Sequence, residues 1–156
     1  MVEDTDPLRL SEQQKKAGAE FLSAMQKLGL DPECLFWAFD FEVGHHVLLM
    51  ATSAYELAGP LAISRTIFKA YNASATPKDI DPFVLRFHSL HHNFIRATAV
   101  TREHDVVDPL NRTYFGSRDM KWHPDWFYKF AIKKPGAAVV EQRWKRYEKK
   151  IERLAA

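Results

Sequence analysis

A single cysteine, Cys34, in 156 residues leaves no partner for an intrachain disulfide and no thiolate set for a zinc site. Beside Leu35 and Phe36 it reads as a small buried apolar residue, since no neighbouring base is present to activate a thiolate. Glycine is scarce too, at six. No phosphate-binding glycine loop, dinucleotide fingerprint, nucleophile elbow or H-E-x-x-H pair occurs, which removes the commonest nucleotide-driven enzymes and points to no cofactor. Long apolar runs are also missing. The longest candidate, residues 43–54, is broken by Gly44-His45-His46 and falls short of the ~18 residues of a membrane span. The acidic start, Met1-Val2-Glu3-Asp4-Thr5-Asp6, has neither the basic nor the apolar region of a signal peptide. A cytoplasmic protein with no membrane partner is the expectation.

Aromatic residues are plentiful. They make up 13% of the chain, with eleven Phe and four Trp. Each large ring can bury ~150–250 Å², so a chain of this length has ample material for one domain.

The pattern of apolar residues predicts the order α-β-β-α-β-α-β-α, an α+β fold with a small antiparallel or mixed sheet of about four strands packed with helices. Ser11 and Gln14 form a capping box before the stripe Phe21, Leu22, Met25 and Leu28, and Gly29 marks the stop of a first helix. Leu35, Trp37, Phe39, Phe41 and Val43 then alternate with Asp40 and Glu42, as in a half-buried strand. Gly44-His45-His46 fits a turn that sets Val43 opposite Val47 and Phe41 opposite Leu49. Gly59-Pro60 opens a second helix to about Asn72. Phe83, Leu85 and Phe87 alternate as a third strand, and Ser89 caps a third helix through Thr98. Residues 111–124 read as a loop, Trp126 to Ile132 as a last strand, and Pro135-Gly136 as a break before the final helix. Trp37, Phe39, Phe41, Phe83, Phe87 and Trp126 are the expected core rings, with Asp40, Glu42 and Arg86 on the other face.

Charge divides the chain. Residues 133–156 hold eight basic and three acidic side chains, a net of +5 in a chain whose total is +2, so the remainder is −3. The division expected is a core domain over residues 1–134 and a basic amphipathic helix over 135–156, packed on the same domain or on a partner. Val140, Trp144, Tyr147, Ile151 and Leu154 recur at steps of four, three, four and three, a narrow apolar seam that could dock on the body or form a homodimer.

Three groups of residues could carry chemistry. The histidines crowd at His45-His46, His88-Ser89-Leu90-His91-His92 and His104-Asp105, and imidazole is the usual acid–base group near neutral pH. With Glu42 as base and Arg86 stabilising an anion, His88, His104 and Asp105 complete the candidates for a small hydrolase or nuclease. No spacing places three ligands on one element, so no metal is expected. The second group interleaves cations with rings, Lys121-Trp122-His123-Pro124-Asp125-Trp126-Phe127-Tyr128-Lys129 followed by Lys133 and Lys134, which suits nucleic acid through stacking and phosphate contact. The third is the basic circumference of the last helix: Arg143, Lys145, Arg146, Lys149 and Lys150. The expectation that follows is a non-catalytic binding module. It would contact an anionic or protein partner, nucleic acid included, through Lys121, Trp122, Lys133, Lys134 and the basic helix. A histidine-dependent hydrolase or nuclease is the alternative.

Overall fold

A computed structural model describes residues 6–103 and 113–155, and within them four helices and a six-stranded mixed sheet. In chain order these are α1 (Glu12–Lys27), β1 (Cys34–Asp40), β2 (His45–Ala51), α2 (Ala54–Asn72), β3 (Leu85–His88), α3 (Asn93–Glu103), β4 (Phe115–Gly116), β5 (Met120–Trp122), β6 (Phe127–Phe130) and α4 (Ala137–Ala155). The α+β class and the order of the longer elements match the sequence pattern. The short strands β4 and β5 fall in the stretch read as a loop, because two or three residues cannot display an alternation.

Helix α1 begins as its capping box dictates. Ser11 Oγ accepts from the Gln14 N–H, and Gln14 Oε1 accepts from the Ser11 N–H, each at 3.0 Å. At its end Gly29 takes φ +100°, and the Leu30 N–H closes back onto the Met25 carbonyl. Helix α2 starts earlier than Gly59-Pro60 predicts. A first turn from Ala54 is interrupted at Gly59 (φ 84°), and Pro60 restarts the helix.

The sheet order is β3-β2-β1-β5-β4, with β6 also paired to β1. One edge of β1 holds β2, antiparallel. Along the other edge lie β6, opposite Cys34–Phe36, and β5, opposite Phe39 and Asp40, with a 3-10 turn at Pro124–Trp126 between them. Strand β3 runs parallel to β2, and the crossover that parallel pairing requires is α2.

Helices cover both faces of β1. The Trp37 indole N–H donates to the Tyr128 hydroxyl at 2.8 Å, and that hydroxyl donates to the Lys15 carbonyl at 2.6 Å, so the odd side chains lie under α1. The Phe36 ring stacks on Phe127 at 4.4 Å and on Phe94 of α3 at 6.5 Å, so the even side chains lie under α3. Helix α4 packs between α1 and α2, where Tyr147 meets Met25 and Thr66.

This two-sided burial corrects the half-buried strand. Cys34, Phe36 and Ala38 are as buried as Leu35 and Trp37. The strand ends at Asp40, and Phe41 to Gly44 form a four-residue turn in which the Gly44 N–H (φ +74°) reaches the Asp40 carbonyl at 2.8 Å. Asp40 therefore faces His45, and Phe36 faces Leu49, instead of the expected Val43–Val47 and Phe41–Leu49 pairs. Of the six rings expected in the core, Trp37 and Trp126 are buried while Phe39 and Phe87 are half-buried. Phe41 is 49% exposed, and Phe83 is 75% exposed in a 3-10 turn capped by Asp81. The expectation that Lys129 shares a charged sheet face with Asp40, Glu42 and Arg86 is also corrected. Arg86 pairs with Leu49 on the α3 side, whereas Lys129 pairs with Leu35 on the α1 side.

Candidate functional site

The apolar seam of α4 is used inside the molecule. Val140, Trp144, Tyr147 and Ile151 are buried against the body and only Leu154 is exposed, so the seam is not free for a second copy and the homodimer expected through these residues is set aside. What the helix offers outward is charge. At 100° per residue, Glu141, Glu148 and Glu152 fall on one flank, while Arg143, Arg146, Lys150 and Arg153 fall on the other with Lys149 between. Lys150 donates to the Lys27 carbonyl at 3.2 Å, where a cation also meets the negative end of the α1 dipole. Arg143 lies close enough to Asp31 to help hold that carboxyl below its usual range, although burial opposes it and Lys129, at 2.7 Å, is the main ion partner. Lys145 pairs with Glu141 at 2.7 Å. Among the described residues, Arg146, Lys149 and Arg153 are exposed and in no ion pair.

The aromatic-basic segment is divided by the sheet. Lys121 is half-buried, opposite Phe39 on the α1 side. Trp122 points the other way and is 2% exposed, packed at 5.3 Å from Phe115 and 5.1 Å from Phe127. Its ring is a wall under α3 rather than an open stacking platform. Lys133 is exposed, while Lys134 pairs with Glu56 and holds that carboxyl below its usual range.

Between α3 and the β4–β5 turn lies a cleft of about 400 Å³, lined by His92, Phe94, Ala97, Thr98, Ser117 and Trp122 among others. Its volume is in the range of small-molecule sites, roughly 300–1,000 Å³. The sequence pattern did not single it out. The available signal was the helix-face run Phe94, Ala97, Thr98, Thr101 at steps of three, one and three, whose small Ala97 and threonines leave room beside a helix.

The catalytic candidates are not brought together. Glu42 is in the β1–β2 turn beyond the Asp40–His45 pair, whereas His88 pairs with Ala51 at the far end of β2, six residues or about 20 Å away. Arg86 spends its guanidinium on the Phe83 and Leu85 carbonyls, at 2.8 and 3.1 Å. His104 and Asp105 lie outside the described residues. Among the described residues, the buried carboxylate of Glu33 accepts from the Ser53 N–H and hydroxyl at 2.9 and 2.7 Å and so holds the start of α2. His46 donates to the Leu8 carbonyl at 2.7 Å, and burial lowers its pKa. Burial also pushes the Cys34 thiol up to about 11. Among the described residues, no three His, Cys, Asp or Glu side chains are grouped to hold a metal ion, and no helix is long and apolar enough to cross a membrane.

Among the described residues, His88 is the most perturbed imidazole. Burial, with smaller contributions from His92 and Arg86, lowers it from 6.5 to about 4, and its ring lies 4.0 Å from that of His92. A depressed histidine pKa means that the unfolded chain takes up the proton first. The stability that neutral His88 contributes is therefore complete above 6.5 and is lost as pH falls toward 4. Urea midpoints at about pH 7 and about pH 4.5 should fall further apart for the native protein than for His88→Gln. Equal separations would show that His88 does not titrate with unfolding.

Comparison with protein-family models, with curated proteins and with solved structures finds no match.

Proposed function

We propose that the protein is a non-catalytic binding module that holds an anionic partner on the outer face of α4. One observation carries this reading. The apolar seam of α4 is consumed internally, yet the flank away from the glutamates gathers Arg143, Arg146, Lys150 and Arg153, with Lys149 on the side opposite the seam. An internal brace needs the seam alone. A stripe of cations from Arg143 to Arg153, about 15 Å long, supplies the field that draws an anionic surface and sets its orientation. The hydrolase alternative lacks such support, since Glu42 and His88 stand at opposite ends of β2.

Truncation after Pro135 is an unsuitable test, because it uncovers the core around Met25 and Thr66. Arg146→Glu combined with Lys149→Glu leaves the seam intact. This variant should keep its melting temperature and bind a short duplex DNA more than about tenfold more weakly at low salt. Native affinity should fall steeply as salt is raised. A polyglutamate peptide bound in place of DNA, with the same loss on charge reversal, would assign the face to an acidic protein. Unchanged affinity for both polyanions would overturn the proposal.

A further inference from the structure

We infer that the anionic partner is a short acidic peptide segment that carries an apolar residue. Its carboxylates lie on the basic flank of α4, and its apolar residue seats in a groove between α1 and the turn after α2. The inference rests on the reading of α4 given above and names the partner class for that same face.

Flank and groove meet at one contact. Lys150 donates to the Lys27 carbonyl at 3.2 Å, and Lys27 belongs to a groove of about 310 Å³ lined by Glu20, Ser23, Ala24, Lys27, Leu28 and Ala75. From Lys27 back to Glu20 the groove follows two turns of α1, about 10 Å. Ala24, Leu28 and Ala75 give it an apolar floor, and the exposed Ser23 forms part of its rim. Its two ends differ in charge. Among the described residues Lys27 is in no ion pair, so it continues the cations of α4, whereas Glu20 closes the far end beside Lys16 at 4.0 Å. A carboxylate is attracted to the first end and repelled from the second. The side chain that enters the groove is therefore apolar.

Nucleic acid matches this surface less well. A single strand needs open rings for its bases, and the rings of α4, Trp144 and Tyr147, are 5% and 0% exposed in the seam. A duplex neutralises the cations with phosphates and leaves the apolar floor uncovered. A peptide uses both parts. The guanidinium forks of Arg143, Arg146 and Arg153 take carboxylates two bonds at a time, and an aliphatic side chain covers Ala24, Leu28 and Ala75.

Octaglutamate is the first probe, and the second is a set of octapeptides with leucine replacing one glutamate at each position in turn. At one or two adjacent positions leucine should tighten binding about threefold to tenfold although a charge is lost, and at the others it should weaken it. The methyl resonances of Ala24, Leu28 and Ala75 should shift with the tightest leucine peptide and stay in place with octaglutamate. Ser23→Tyr, at an exposed site of α1, covers the groove floor and should remove the leucine gain while octaglutamate and duplex DNA bind as before. Leucine that weakens binding at every position, or a gain that survives Ser23→Tyr with the methyl resonances unmoved, would overturn the groove and leave the basic face standing. Peptide binding unchanged by Arg146→Glu with Lys149→Glu would instead sink the reading of α4 and this inference with it. Duplex DNA bound with neither peptide retained would overturn the acidic partner in favour of nucleic acid.

Discussion

Phe36→Ala should destabilise the protein by about 3–5 kcal/mol, while Phe41→Ala and Phe83→Ala should each stay below about 1 kcal/mol. Phe36 is fully buried and packs against three rings, Phe127 at 4.4 Å, Phe130 at 5.9 Å and Phe94 at 6.5 Å. Its removal loses the transfer energy of a large side chain and leaves a cavity that the sheet and α3 cannot close. Phe41 occupies a turn and Phe83 a capped 3-10 turn, so their rings give up little on truncation. Urea denaturation of the three variants checks the order. A sheet buried on one face only would reverse it, with Phe36 the tolerant position.

Gly18→Ala should cost about 2 kcal/mol, although alanine is the better helix former by ~1 kcal/mol. Gly18 is in the middle of α1, and a Cβ there would fall inside the contact radius of the Tyr128 hydroxyl and ring. That hydroxyl cannot retreat freely. It accepts from the Trp37 indole at 2.8 Å and donates to the Lys15 carbonyl at 2.6 Å, tying α1, β1 and β6 together. Moving it strains the ring or leaves a buried indole N–H without an acceptor. The cycle with Tyr128→Val isolates the cause, because Gly18→Ala in that background should become neutral or stabilising. A cost that persists without the tyrosine would place the problem in the helix itself.

Parts of the fold are local and could be read locally. Ser11 with Gln14, Gly29 and the seam of α4 announce helix ends and faces through spacing alone and are found where the spacing puts them, whereas Pro60 restarts a helix already begun at Ala54. The hairpin of β1 and β2 was also legible. Its register was not, because Gly44 closes a four-residue turn as well as it opens a three-residue one. Asp40 and Glu42 suggested an exposed even face, but Asp40 is the last residue of β1 and Glu42 belongs to the turn. The run Cys34-Leu35-Phe36-Trp37-Ala38-Phe39 carries the true signal, that of a strand enclosed on both sides.

The candidate sites divide in the same way. The basic residues of α4 were visible because helical spacing assigns them to positions outside the seam. The cleft was not, since it joins α3 to a turn between two strands too short to recognise. By itself the sequence determined where α1 begins and ends and which side of α4 is apolar. Only the tertiary structure decided whether a face is covered and which polar atoms keep a partner. Periodicity records which side chains point together, whereas burial depends on what another segment brings against them. So Phe36 is core because α3 crosses it, and Trp122 lacks an acceptor although Trp37 has one, because Tyr128 reaches only the α1 side.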